Sequence, residues 1–369
     1  MNILKTIIIN ILFLLSLLAL LLLSPPVINS LYVNIFSEDT NNKIWPQTNL
    51  PNYIEEDWSK IHFREFNEIT TSYFDYYLHR RNDYDGKTIN IKNGIRYSFE
   101  SEQLNREMGE FWFFGGSTIW GTGSRDSGTI PSMFAKKNSA KVINYGESGY
   151  IARQSLALLS NQYINDPDDN LQKTIIFYDG VNDINYRCRS DIKGVETPNE
   201  KILQNILSNA INDKWTFKRV FSQLQDLLQS IFRKIPSLNF VQNLDYVCSS
   251  DNAKAKYVAS SLVNTWSQAQ EIAYANGDKF LAVLQPVAFI GNPKVDHINL
   301  DSPLHTNLKR EFNVVYPLIN NLAKEKGINF ISLINVLDKD EYFYIDHCHV
   351  SENGNYLIAN EITKYVFND

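Results

Sequence analysis

The sequence predicts an α/β protein, a three-layer α/β/α sandwich built on a mostly parallel sheet of five strands. Three observations predict it. Short apolar runs recur through residues 107–369, stretches of helical period separate them, and polar, glycine-containing segments follow the apolar runs. Strand and helix in alternation argue for a parallel sheet covered on both faces, with sites forming at the carboxyl ends of the strands.

The elements follow in order. Apolar runs at Phe111–Gly115, Lys141–Tyr145, Thr174–Tyr178, Phe280–Leu284 and Ile328–Ile334 predict buried strands. Helical period is read over Pro131–Lys137, Arg153–Ile164, Ala253–Tyr274, Asn307–Lys326 and Glu352–Val366. Residues 185–250 break the rhythm with polar residues and amphipathic pieces at Ile202–Ile211 and Phe217–Phe232. They read as an insertion over the strand ends, either a lid or a surface embellishment.

Residues 1–30 are set apart from the globular body. After Lys5, the run Thr6–Leu23 is almost wholly apolar, interrupted only by Thr6, Asn10 and Ser16. About 18 such residues are enough to cross a ~30 Å hydrocarbon core. No small-x-small cleavage site follows, so an uncleaved signal anchor, one N-terminal transmembrane helix, is expected. Positive charge precedes the run, and the next basic residue is Lys43. That bias places the remainder outside the cytoplasm, as a single-pass, membrane-anchored protein. Residues 31–106 are polar and aromatic without a long amphipathic period, a lead-in expected to pack on the main domain at 107–369.

The 369 residues are 44% hydrophobic, ample for a sizeable core, and carry 35 basic against 41 acidic side chains, a net charge of −6. No basic stripe is present, which argues against nucleic acid as a partner. Of three cysteines, Cys188 and Cys248 flank the insertion and are candidates to pair, leaving Cys348 over.

The chemistry begins at Ser117, in Phe113-Phe114-Gly115-Gly116-Ser117-Thr118, where a buried strand gives way to glycines. A serine hydroxyl needs a base. His349 is the candidate, with Asp346 three residues earlier to fix its tautomer and stabilise the imidazolium. Acyl transfer also needs oxyanion donors set in advance. Asn144-Tyr145-Gly146-Glu147-Ser148-Gly149 offers a backbone amide at Gly149, with Gly146 the less suitable glycine. Tyr178-Asp179-Gly180-Val181-Asn182-Asp183 offers the Asn182 side chain. His347, Cys348 and His349 are potential metal ligands, but adjacent residues converge poorly on one ion and no second cluster appears, so neither metal nor cofactor is expected.

These four segments resemble the four blocks of the SGNH (GDSL-like) hydrolase superfamily, in the right order across residues 115–354. Gly116-Ser117 stands where Gly-Asp-Ser is commoner, Gly149 is the second block, Gly180-Val181-Asn182-Asp183 the third, and Asp346-x-x-His349 the last. The resemblance implies a flavodoxin-like fold with Ser117 as nucleophile, His349 as base and Asp346 as its orienting acid. The Ser117 amide, the Gly149 amide and Asn182 would form the oxyanion hole. The α/β-hydrolase elbow is disfavoured, because Ile119 stands where Gly-x-Ser-x-Gly needs its last glycine.

Three weaker candidates for substrate contact are Trp120 and Tyr150, as stacking rings, and Arg153, as an anion partner. The resemblance implies a serine esterase that removes acyl groups, acetyl first, from a carbohydrate or cell-envelope glycan, and the expected anchor places it outside the cytoplasm. A polysaccharide O-acyltransferase on the same triad and an inactive glycan-binding scaffold are the alternatives.

Overall fold

The computed structural model describes residues 45–105, 108–165, 171–211 and 245–367, with Asn10, Phe13, Leu14 and Ser16 nearer the N-terminus. The expected membrane span at Thr6–Leu23 lies outside the described residues except at those four positions. The expected helical piece Phe217–Phe232 lies wholly outside them. Among the described residues no helix is long and apolar enough to cross a membrane. The chain divides into two compact units, Met1–Lys43 with Asn209–Gln242, and Ile44–Ser208 with Asn243–Asp369. The second unit carries the sheet and every site residue.

Ten strands are described in that unit: β1 (Thr71–Phe74), β2 (Leu78–Arg81), β3 (Tyr84–Asp85), β4 (Asn90–Lys92), β5 (Ile95–Arg96), β6 (Glu110–Gly115), β7 (Lys141–Asn144), β8 (Lys173–Asp179), β9 (Lys279–Leu284) and β10 (Phe330–Ser332). The first two form a separate hairpin, and the other eight form one sheet in the order β10-β9-β8-β6-β7-β5-β4-β3. Strands β10, β9, β8, β6 and β7 run parallel and correspond to the five expected. The expectation of a five-stranded sheet is therefore corrected to eight. The lead-in extends the same sheet by three short antiparallel strands, joined through Arg96 opposite Asn144. At two or three residues each, these strands are too short to show a two-residue alternation in sequence.

The helices are α1 (Trp58–Glu68), α2 (Ser117–Trp120), α3 (Ile130–Asn138), α4 (Ala152–Asn165), α5 (Val181–Arg187), α6 (Pro198–Ile211), α7 (Asn252–Ala275), α8 (Pro303–Glu325) and α9 (Glu352–Phe367). Side chains alternate across the central strands and so feed two cores. Trp112, Phe114, Ile175, Phe177 and Phe280 pack with Trp266 of α7 and Phe312 of α8. Phe111, Phe113, Ile176, Leu281 and Val283 pack with Phe134 of α3 and Ile358 of α9. Burial on both faces explains why these strands read as continuous apolar runs.

Cys188 and Cys248 are joined, with 5.2 Å between their Cα atoms, and Cys348 is free and buried. The disulfide closes the base of the segment that interrupts the α/β rhythm.

Candidate active site

Strand β6 delivers the nucleophile candidate. It ends at Gly115, and Gly116 caps the short helix α2, whose first residue is Ser117. The commoner acidic residue before such a serine has no room here. A Cβ at position 116 would lie 2.5 Å from Asn182 Nδ2 and 3.4 Å from the Tyr150 carbonyl oxygen. The glycine lets the Asn182 amide lie directly against the backbone that precedes Ser117.

The Asp346–His349 segment is a tight turn rather than an open loop. The Ile345 amide donates to the His349 carbonyl at 2.9 Å, and Tyr344 bridges Val350. Asp346 closes the turn from inside: its Oδ1 accepts from the Cys348 and His349 amides, each at 2.8 Å. Aspartate favours such turns because its short side chain reaches the following backbone. Its second oxygen, Oδ2, stands 2.6 Å from His349 Nδ1, and His349 Nε2 stands 2.6 Å from Ser117 Oγ. Carboxylate, imidazole and hydroxyl thus form one hydrogen-bonded chain, assembled from residues 232 positions apart.

The donor candidates are the Ser117 amide, Gly149 after β7 and Asn182 after β8. Gly149 has φ of +78°, the left-handed region that glycine enters without steric cost. Among the described residues, neither the Ser117 nor the Gly149 amide is spent on a backbone hydrogen bond outside the regular elements. The Gly146 amide donates to Asn144 Oδ1 at 3.0 Å and is already used. Asn182 Nδ2 donates to the Tyr150 carbonyl at 2.8 Å, which fixes the amide and leaves its second N–H for a ligand. An oxyanion site needs donors of this kind set in advance. The segments read in the sequence as SGNH-like blocks thus meet around Ser117.

No protein-family model and no curated protein matches the sequence. Solved structures are similar in fold. A lipolytic protein of the G-D-S-L family from Veillonella parvula is 15% identical with a TM-score of 0.39, covering 70% of this chain and 98% of that one. A carbohydrate acetylesterase from Sinorhizobium meliloti is 13% identical, also at 0.39, with 70% and 97% covered. A GDSL-like lipase from Bacteroides thetaiotaomicron is 14% identical at 0.39, with 73% and 92% covered.

Electrostatics set the protonation of this constellation. Burial pulls the His349 pKa down, but Asp346 and Cys348 together raise it more, leaving it well above the ordinary histidine value. Burial pushes Asp346 up, and His349 and His347 together hold it well below the usual carboxylate range. Only neutral imidazole takes a proton from serine, so a raised pKa moves the acid limb of kcat/KM above the ordinary midpoint near ~6.5. Asp346→Asn removes the raising charge while burial still lowers the imidazole. Its acid limb is expected at lower pH than that of the native enzyme, with a reduced plateau. A pH profile of kcat/KM checks this, and an unmoved limb would uncouple Asp346 from His349.

Of the three weaker candidates for substrate contact, Trp120 and Tyr150 are corrected, and Arg153 has a protein partner. Trp120 and Tyr150 are each only 1% exposed, so neither offers a ring to a substrate. The Arg81 and Arg96 guanidinium carbons lie 3.8 and 4.3 Å from the centre of the Trp120 ring. The Tyr150 hydroxyl donates to the His79 carbonyl. Arg153 is ion-paired with Glu200 of α6 and donates to the Val195 carbonyl at 3.3 Å, tying the insertion to α4. Next to the triad, Asp346, His347 and Cys348 bring one potential ligand atom each within 4.8 Å of one another. They converge more closely than adjacency implied, although Asp346 in that set is already the His349 partner.

Sequence reasoning passed over several residues around the site. Asp183 Oδ2 accepts the Ala152 amide at 3.3 Å, joining the Asn182 helix to the segment after Gly149. Burial pushes Asp183 up to about 6 despite Arg187, 3.8 Å away. Burial and Asp183 together push Asp179 well up, and Trp266 donates to it at 3.0 Å. Asn185 lies 3.2 Å from His347 Nε2, and that imidazole stacks on Phe289. The Asn-Asp pair of the third block was the available signal for Asp183. Nothing in sequence marked Asn185. A hollow of about 1060 Å³ bounded by Ile91, Ile95, Tyr97 and Val142 contains none of the triad or oxyanion residues.

Proposed function

We propose that this protein is a serine esterase acting outside the cytoplasm, which removes acyl groups, acetyl first among them, from a carbohydrate. The chain from Ser117 Oγ to His349 Nε2 and from His349 Nδ1 to Asp346 Oδ2, each link 2.6 Å, carries the reading. The Cys188–Cys248 disulfide supports an oxidising compartment.

In the first half-reaction His349 Nε2 takes the Ser117 proton as Oγ attacks the ester carbonyl carbon. Asp346 stabilises the resulting imidazolium without itself taking the proton. The Ser117 and Gly149 amides and the free N–H of Asn182 meet the oxyanion as charge develops on it. His349 then gives its proton to the departing alcohol oxygen, leaving an acyl ester on Ser117. Water, deprotonated by His349, then attacks that ester, and His349 returns the proton to Ser117 Oγ as the acid leaves. The fixed Asn182 amide costs no reorganisation during the step, because the Tyr150 carbonyl already holds it.

The test is release of p-nitrophenol from p-nitrophenyl acetate, and of acetate from acetylated polysaccharides, by the purified full-length chain. Folded protein that turns over neither rules the reading out. Asn182→Ala is expected to lower kcat by on the order of 10²–10³, with a much smaller change in KM. Unchanged kcat in that variant would remove Asn182 from the oxyanion site.

A further inference from the structure

Strand β2 holds the loop after β7 almost residue by residue. Arg80 donates to the Tyr145 carbonyl at 2.8 Å and to the Gly146 carbonyl at 3.2 Å, and the Arg81 amide donates to Glu147 Oε2 at 2.9 Å. His79 takes the next position in the loop, with its Nε2 3.1 Å from the Ser148 carbonyl oxygen. A carbonyl oxygen only accepts, so Nε2 carries the hydrogen. Burial pulls the His79 pKa below the ordinary histidine value, against the raising influence of Glu147 and of the Ser148 carbonyl. At neutral pH the ring is therefore the uncharged tautomer protonated at Nε2. It meets the Tyr150 ring edge-on, with centroids 5.5 Å apart and planes at 79°.

The Ser148 carbonyl differs from the other loop carbonyls because it shares a peptide group with the Gly149 N–H, the amide assigned to the oxyanion. That peptide is planar and trans, so its C=O and N–H point in opposite directions and turn together. A donor seated on the oxygen fixes where the N–H aims. It also polarises the peptide and makes the N–H a stronger donor, as each link of a hydrogen-bonded chain does to the next. Gly149 needs such a restraint: at φ of +78°, with no Cβ, its own conformation does little to stop the peptide from turning.

The same residue reaches the second donor through its backbone. The Tyr150 hydroxyl donates to the His79 carbonyl, and the Tyr150 carbonyl accepts from Asn182 Nδ2 at 2.8 Å. Holding the loop in place does not depend on the imidazole, since Arg80 and Arg81 already tie residues 145–147. What the imidazole adds is the contact on the one carbonyl whose peptide also carries the Gly149 N–H.

We propose that His79 is a positioning residue for the oxyanion site, its Nε2–H aiming and strengthening the Gly149 N–H through the Ser148 carbonyl. The proposal rests on the esterase reading for what that amide meets, and on the peptide geometry alone for how it is held.

Ser-Gly steps occur twice in the chain, at Ser127-Gly128 and Ser148-Gly149. Full-length protein isotope-labelled at serine carbonyls and glycine nitrogens therefore gives one amide signal for Gly149 and one for Gly128 as its control. His79→Phe keeps a ring beside Tyr150 without a donor, His79→Asn carries an amide too short to reach, and His79→Gln places an amide nitrogen at about the reach of Nε2. His79→Phe and His79→Asn are expected to move the Gly149 nitrogen signal upfield and leave Gly128 in place, and His79→Gln to return it toward the native position. Turnover of p-nitrophenyl acetate is expected to follow, with kcat about tenfold lower in His79→Phe and His79→Asn, less than the 10²–10³ lost with a whole donor. KM and the thermal midpoint are expected to stay near native, and His79→Gln to recover most of kcat.

A Gly149 signal that none of the substitutions moves overturns the proposal. So does native kcat in His79→Phe, or a loss in His79→Gln equal to that in His79→Phe, which would give the imidazole a packing role. Folded native protein without ester turnover removes the esterase reading alone, and the Gly149 signal then decides whether His79 holds the amide.

Discussion

Ser117→Ala is expected to lower kcat for p-nitrophenyl acetate by on the order of 10⁴–10⁶ while leaving the fold intact. The kinetic loss is large because the acyl group would have no oxygen to move to. His349 and Asp346 would remain paired, and the oxyanion donors would remain in place, with only direct attack by water left to use them. Little stability is at stake. Ser117 Oγ meets His349 Nε2, and that imidazole sits at the rim of the site, 17% exposed, where water replaces the lost partner. A change within about 1 kcal/mol is expected, the net worth of one such hydrogen bond. Turnover and thermal unfolding measured on the same preparation check both halves. Activity within tenfold of the native enzyme would mean that another group is the nucleophile.

The parallel sheet was legible because its strands are buried on both faces, and a run such as Phe111-Trp112-Phe113-Phe114 admits few other readings. Helix boundaries were legible where period and capping agree. Helix α8 begins at Pro303 rather than Asn307, and its start was marked by Ser302, which accepts the His305 amide, followed by proline in the first turn. The lead-in was illegible for a physical reason. Helix α1 buries His62 and Glu65 beside Phe63, so its inward face is not apolar. Glu65 accepts from the Lys87, Thr88 and Ile89 amides, and His62 Nε2 accepts from Gly123. Hydrophobic period registers transfer from water, not hydrogen-bonded burial, and misses such a helix.

The candidate site shows the same division. Ser117, Asn182 and the Asp346–His349 pair were legible because their residue types and spacing are the chemistry itself. Trp120 and Tyr150 were misjudged because an aromatic next to a site looks alike in sequence whether it faces the cleft or the core. What decided their place was Arg80, Arg81 and Arg96, three cations of the lead-in whose partners lie 14 to 66 positions away.

Those cations lead to the second large effect. Arg81→Met is expected to destabilise the protein by about 3–5 kcal/mol, the usual cost of removing one member of a buried ion pair. Glu147 is fully buried, its Oε1 paired with the Arg81 guanidinium and its Oε2 accepting the Arg81 amide at 2.9 Å. The substitution keeps that backbone hydrogen bond and the one from the Ser148 amide at 2.8 Å, but strands a carboxylate without its counter-charge. Glu147→Gln in the Arg81→Met background is expected to recover part of the loss, since a neutral amide keeps an acceptor without the cost of burying charge. Denaturant unfolding of the two single variants and the double variant measures the coupling. Loss by Arg81→Met with no recovery in the double variant would assign the arginine a packing role over Trp120 instead. Catalysis should report the same clamp. Glu147 is two residues before Gly149, and freeing it loosens the loop that presents the Gly149 amide, so kcat is expected to fall more than KM rises.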